Sequence, residues 1–402
     1  MRFVERAGEF ALLGEAVSGT GVGPCQVIAV TGPVASGKST LLNFAVERSV
    51  AKGLTVLRAR GLRSERRTPM ALFEQLLVGA EKLPGLPETV ARQLDAARFT
   101  ALLHDPDSER EEHVRAGTRR SLTSALMSLI QERPVVIAVD DVQYADLPSL
   151  ECLRHVMEEL HTGPATVVLA WRTGLRLNRP VFGAGVLGLP GLVRLPLRAL
   201  NGQAVAGVLR EHLDEATARR VAPEVHRISG GSPLLVRAVV QDILRAGMEG
   251  GGRPRAAVGT VAGHAFRWSV LSCLSRVEPP VLAVARGLAI LDGTTAEATL
   301  GRLVGISPGT VALSLRELRA IGLVDRGGFR SPAARDAVLA GIPREERRSL
   351  HLRAVALLRQ ADTGLSVTAG PIAAGPSAVA SLRPAGRGEI PLERVCRSDD
   401  CA

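Results

Sequence analysis

Unbroken apolar runs alternate with longer stretches of helical period over roughly the first 195 residues. The runs at 26 to 31 (QVIAVT), 54 to 59 (LTVLRA), 135 to 139 (VVIAV), 165 to 171 (ATVVLAW) and 192 to 197 predict strands. Most are continuous rather than alternating, as strands covered on both faces are. Strands that alternate with helices predict an α/β fold with a parallel sheet. From Asn201 to Met248 the period becomes helical, with Val205, Val208, Leu209 and Leu213 at i, i+3, i+4 and i+8, which predicts a small helical lid.

Residues 249 to 259 (EGGGRPRAAVG) hold four glycines and a proline and read as a linker. Beyond it the pattern predicts short helices, a turn at Gly327 and Gly328, and an amphipathic helix from about Arg344 to Gln360. The segment 304 to 328 reads as helix, turn, helix and wing. Ser307 caps a helix with Pro308 in its first turn, and Val311, Leu315 and Leu318 form its apolar stripe, which leaves Arg316 and Arg319 outward. That helix either reads DNA or packs internally against the sheet domain. The expected organisation is an α/β core at 1–200, a helical lid at 201–248, a linker at 249–263, an α-rich winged-helix domain at 264–360 and a disordered tail at 361–402, where no helical or strand period is left.

The strongest chemical signal is GPVASGKS, Gly32 to Ser39, which fits the Walker A pattern G-x-x-x-x-G-K-[ST] at every fixed position. It lies between the first strand and a helical run containing Leu41, Leu42, Ala45 and Val46. A strand handing over to a helix N-terminus points backbone N–H groups and about half a positive charge at an anion. The backbone of Gly32, Pro33, Val34, Ala35, Ser36 and Gly37 would cradle the phosphates, with Lys38 as a compact charge on the β- and γ-phosphates, Ser39 on Mg²⁺ and Thr40 beside the α-phosphate. Only three of the 50 basic residues are lysine, and one of them stands here, where a guanidinium would be too bulky. The expected cofactors are therefore ATP and Mg²⁺.

A P-loop needs a carboxylate across the sheet. The apolar run ending in Asp140 and Asp141 supplies one, with Asp140 on the metal and Asp141 polarising the attacking water. The alternative is that both merely cap the next helix. The next strand ends in Arg172 and Thr173, where Arg172 could sense the γ-phosphate. Ser232 as an N-cap and Pro233 in the first turn explain ISGGSPLLVRAV without a ligand.

Composition narrows the classes. At 46% hydrophobic and 402 residues, the chain is globular, with two or three domains expected. Cys25, Cys152, Cys273, Cys396 and Cys401 lack the paired spacing of a zinc site. The start has no signal-like apolar segment, and no run reaches the roughly 18 apolar residues of a membrane helix, so a cytoplasmic protein without a membrane partner is expected. A net charge of +10 favours polyanions, yet aromatics make up 3%, which leaves few stacking platforms for single strands.

GPVASGKST, DDVQYADLPSLECLRHV, LAWRTG, GGSPLLVRAV and FRSPAARDAVLAGIPREERRSLHLRAVALL stand in an order and spacing that resembles the signal-transduction ATPases with numerous domains. More narrowly, residues 1 to 360 are similar to the N-terminal part of large ATP-binding LuxR-type regulators of actinobacteria. The resemblance implies an AAA-like core, a lid and a winged helix, with Pro233 against the adenine and Arg172 as the sensor. The family's repeat sensor and terminal helix-turn-helix are expected to be lacking. Ser331 stands where members carry histidine, and Glu5-Arg6 where they carry Gly-Arg. The expected function is an ATP/ADP-switched, slow, Mg-dependent ATPase of transcription control, answering to a regulatory protein or a small-molecule inducer. The alternative is a replication-initiator-like ATPase that binds duplex DNA through its winged helix. A small-molecule kinase would need an acceptor site, and none can be named in the sequence.

Overall fold

The computed structural model describes residues 6–21, 25–102, 111–160, 164–173, 185–186, 188–189, 191–249, 262–292, 296–326 and 328–362. The tail from residue 363, linker residues 250–261, and Glu5, Gly327, Cys396 and Cys401 lie outside them. The chain divides into two compact units, Met1–Glu211 and His212–Ala402.

The first unit is built on five parallel strands, β1 (Gln26–Gly32), β2 (Thr55–Arg60), β3 (Val135–Asp140), β4 (Ala165–Arg172) and β5 (Val193–Pro196), in the order β2-β3-β4-β1-β5. Strands β3 and β4 are buried along their whole length. Successive side chains of a strand face opposite ways, so one continuous apolar run feeds two layers. Ile28, Val30, Ala138 and Val168 pack with Leu13, Val17, Leu41 and Leu42 of α1 (Ala7–Gly19) and α2 (Lys38–Ala51). Val27, Ala29, Ile137 and Val167 share the other layer with Phe73, Leu94, Leu126 and Leu153. Those four belong to α3 (Ala71–Glu81), α4 (Glu88–Leu102), α5 (Glu111–Glu132) and α6 (Leu147–Glu159). Each large aliphatic side chain so buried contributes about 1.5 to 3 kcal/mol relative to exposure. The P-loop NTPase fold read from the sequence is the fold of this unit.

Register sets the functional edge. Gly32 pairs with Arg172, and Arg60 with Asp140, so four strand ends finish at one rim. The buried carboxylate of Asp146 ties down the loops there. It caps α6 through Ser149 N (2.9 Å) and also accepts from Met70 N (2.8 Å) and Leu72 N (3.3 Å) at the head of α3. A buried anion satisfied by three amides fixes the geometry of every group that donates to it. The unit closes with α7 (Gly202–Arg210), capped by Asn201.

The helices foreseen as one lid fall in both units. α7 belongs to the first, whereas α8 (Glu215–Ser229) and α9 (Pro233–Glu249) belong to the second. There they are followed by α10 (His264–Leu274), α11 (Pro279–Leu291), α12 (Glu297–Val304), α13 (Pro308–Ile321), the antiparallel pair β6 (Val324–Asp325) and β7 (Gly328–Phe329), α14 (Pro332–Ala340) and α15 (Arg344–Asp362). Ser307 caps α13 through Thr310 N, Val311, Leu315 and Leu318 are buried, and Arg316 and Arg319 are exposed. Helix α15 runs two residues into the stretch foreseen as tail.

Ser232 corrects one expectation. It precedes α9 as a cap would, but its buried hydroxyl makes no hydrogen bond, so the helix is not capped by that side chain. The α8–α9 turn is shaped instead by Gly230 (φ 57°) and Gly231 (φ 73°). A methyl group on Gly230 would meet the Cα of Gly322 at 2.6 Å, and one on Gly322 would collide with the Ser229 carbonyl. Two glycines thus let the turn and the end of α13 lie backbone to backbone. Asp242 of α9 plays the capping part for a different helix, accepting from Gly263 N (2.9 Å), Ala265 N (3.0 Å) and Phe266 N (2.9 Å) at the start of α10.

Candidate functional site

Gly32 to Thr40 connect β1 to the first turn of α2. Gly37 (φ 92°) and Ala35 (φ 62°) are left-handed, which lets the loop double back before the helix begins. A side chain at position 32 would lie 2.7 Å from Ser36 Oγ and 2.8 Å from the Leu197 carbonyl oxygen. Lys38 is buried and donates from Nζ to the carbonyl oxygens of Gly32 (3.0 Å) and Pro33 (2.7 Å), so its charge sits inside the arc of the loop. Val34 and Ser36 are buried as well, and Ser36 Oγ has no hydrogen-bond partner among the described residues. Thr40 stands on the first turn of α2.

Arg6 braces this loop from below. Its guanidinium donates to Ser36 O (2.5 Å) and Arg198 O (3.0 Å), and a methyl group on Gly37 would come within 3.1 Å of its Nη1. Sequence reasoning singled out Arg6 only as half of a family dipeptide. Its role as a brace comes from contacts across 30 and 192 residues, which no local pattern announces.

Across the rim, Ser39 Oγ donates to Asp140 Oδ2 at 2.7 Å, which joins two residues 101 positions apart. Asp140 Oδ1 accepts from the Asp141 amide at 2.9 Å. Asp141 is left-handed (φ 49°) and begins a single 3₁₀ turn, Val142–Tyr144. Its carboxylate is engaged on both oxygens. Arg60 donates to Oδ2 from Nε (3.1 Å) and Nη2 (2.8 Å), and Gln143 Nε2 donates to Oδ1 at 2.9 Å. The hydrogen bond that Arg60 donates to Asp141 outweighs desolvation and holds the Arg60 guanidinium above its usual pKa.

Arg172 is buried at the end of β4. Its amide donates to Gln143 Oε1 (3.1 Å) and its Nη1 to the Tyr144 hydroxyl (3.0 Å), while Thr173 N donates to Gly32 O (3.1 Å). Arg63 lies over the Tyr144 ring, 4.9 Å from its centre. Lys38, Ser39, Asp140, Asp141 and Arg172 therefore gather at one rim of the first unit. Pro233 is the first residue of α9 in the second unit. Ser331 is committed elsewhere, since its hydroxyl accepts from Ala334 N and caps α14.

The donor set suits a triphosphate and a hard cation. An arc too tight at Gly32 for a side chain, an enclosed lysine ammonium and a buried Ser36 hydroxyl without a partner among the described residues are features that would suit an anion. A hydroxyl and a carboxylate at 2.7 Å are oxygen ligands of the kind Mg²⁺ takes one or two of from protein.

Residues 2–169 match the AAA ATPase domain. That match takes in the loop, Lys38, Ser39, Asp140 and Asp141, and stops short of Arg172. With the sheet described above it gives the first unit an AAA ATPase-like fold. An uncharacterized protein of Rhizobium meliloti (strain 1021) is 26% identical over 275 residues, 59% of this chain and 25% of that protein. The matched part is thus a quarter of that relative's length. Among solved structures, the STAND protein with a tetratricopeptide repeat sensor from Pyrococcus horikoshii is similar over 87% of this chain and 45% of its own (14% identity, TM-score 0.37). The Aeropyrum pernix ORC2 protein is similar over 88% and 95% (16% identity, TM-score 0.45). Among the described residues no helix is long and apolar enough to cross a membrane.

Proposed function

We propose that this chain is an ATP-binding, slowly hydrolysing switch of a transcription regulator. The observation that carries the reading is the 2.7 Å contact of Ser39 with Asp140 beside the enclosed Lys38 ammonium. It joins the loop after β1 to the end of β3, two segments 101 positions apart in sequence, and supports a reading in which both serve one nucleotide.

Lys38 and the backbone from Gly32 to Gly37 bind the β- and γ-phosphates of ATP. Ser39 and Asp140 hold Mg²⁺, which supplies charge neutralisation on the phosphate oxygens. Asp141 orients a water molecule and receives its proton. Arg172 reads the γ-phosphate, as in the regulators the sequence resembles. Binding energy shifts a two-state arrangement of the chain in favour of one signalling form, so turnover is slow. Calorimetry with Mg-ATP tests this. The wild type binds and Lys38→Ala does not, and equal affinity in the two proteins would end the reading.

Exposed Arg316 and Arg319 on α13, followed by the β6–β7 hairpin, favour a second reading, in which the helix and its wing grip duplex DNA. That reading requires duplex affinity that falls steeply as salt rises. An absent mobility shift at low salt would exclude it.

A further inference from the structure

Gln143, on the 3₁₀ turn, is hydrogen-bonded to both Arg172 and Asp141 at the rim. Its Oε1 accepts from the Arg172 amide at 3.1 Å and its Nε2 donates to Asp141 Oδ1 at 2.9 Å. A backbone N–H can only donate and an ionised carboxylate can only accept. One orientation of the amide satisfies both neighbours, and the flipped one satisfies neither. The glutamine is therefore keyed between the end of β4 and the carboxylate. The next residue repeats the link, since Tyr144 accepts from the Arg172 guanidinium.

Asp141 follows β3 with a left-handed backbone (φ 49°), and its carboxylate is held by two side chains, Arg60 and Gln143. Arg60 is an exposed partner, with 60% of its side chain accessible. Gln143 is half-buried and fastened at its other end to a main-chain amide of a central strand.

We propose that Gln143 is a positioning residue for ATP hydrolysis. It holds the Asp141 carboxylate in line with the attacking water and makes that alignment depend on where the end of β4, and with it Arg172, stands. The inference rests on the hydrolytic reading above and adds to it a residue that touches neither nucleotide nor metal.

Two variants of the full chain test it, because they divide the two bonds. Gln143→Ala removes both. Gln143→Glu keeps an acceptor for the Arg172 amide but sets a carboxylate against Asp141. Three measurements are made: turnover and KM for ATP, the melting temperature, and hydrogen exchange of the Arg172 amide in nucleotide-free protein. Both variants are expected to lose turnover by about 10- to 100-fold, the effect of a misplaced reacting group, with KM changed by less than about twofold. The Arg172 amide exchanges faster in Gln143→Ala and at the wild-type rate in Gln143→Glu.

Wild-type turnover in either variant overturns the proposal. So does a loss of turnover that tracks a fall in melting temperature and a rise in KM, the pattern of a merely structural residue. Wild-type protein that binds no Mg-ATP, or a Lys38→Ala variant that binds it equally well, would instead sink the functional reading beneath it.

Discussion

Arg60 and Asp141, 81 residues apart, are joined by two hydrogen bonds to a single carboxylate oxygen, from Nε at 3.1 Å and from Nη2 at 2.8 Å. That oxygen is thereby occupied, while the other accepts from Gln143. The arginine's side chain is 60% exposed and the aspartate's 19%, and a pair open to solvent on one side is worth no more than about 1 kcal/mol to stability. Arg60→Ala is expected to leave the melting transition in place and raise ATP turnover by about fivefold, the rate equivalent of about 1 kcal/mol. Steady-state kinetics beside a denaturation curve check both halves. Slower hydrolysis in the variant would mean that Arg60 aligns the carboxylate rather than detains it.

Asp141→Asn separates binding from chemistry. The amide cannot take a proton, but the loop, Lys38, Ser39 and Asp140 are untouched. ATP affinity should remain within about threefold by calorimetry, while single-turnover hydrolysis falls by about 10²- to 10⁴-fold, the usual worth of a general base. A variant that still hydrolyses ATP at the wild-type rate would move the base elsewhere.

The backbone contact between Gly230 and Gly322 gives a stability prediction with an internal control. Gly322→Ala adds a methyl group at φ 89° and drives it into the Ser229 carbonyl. A loss of at least about 2 kcal/mol is expected, as for other strained, overpacked sites. Gly305 is also left-handed (φ 75°) but has open space around it, so Gly305→Ala should lose only about 1 kcal/mol. Denaturant titration of the two variants would show equal losses if the close packing had no energetic weight.

Two thiols give a pH prediction. Burial pushes the Cys25 pKa up to about 11 and the Cys273 pKa to about 12 from 9.0, because desolvation penalises the thiolate. At pH 8 both are protonated, and alkylation mapped by mass spectrometry should leave them unmodified in the folded chain. The sign for stability follows from linkage. The unfolded state releases these protons first, so their contribution is complete below about pH 9 and is lost as pH rises through 11 to 12.

Local pattern made the sheet legible. Each of the five strands begins and ends within about one residue of its predicted run, most plainly β3 and β4, which are buried on both faces and so must be apolar nearly throughout. Lys38, Ser39, Asp140 and Asp141 could be read for a related reason, since a phosphate loop and a strand-end carboxylate are short signals in one stretch of chain. Arg6, Arg60 and Gln143 could not. Each acts through partners chosen by folding, and in a chain with 50 basic residues a single arginine carries no mark. Ser232 misled in the opposite direction. It stands where caps stand, but two left-handed glycines beside it set the turn and leave its hydroxyl unused.

The triple grip of Asp146 on Met70, Leu72 and Ser149 has a mechanical consequence. The span from Gly61 to Met70 is buckled at both ends: Gly61 N is bonded to Asp140 O (3.0 Å) with no room for a side chain beside the Asp141 carbonyl, and Met70 is moored to a buried anion. Arg60, at the near buckle, can swing only by rotating its own side chain. Whatever releases it from Asp141 must compete for the guanidinium itself, since tugging on the strap would first have to strip the amides from Asp146.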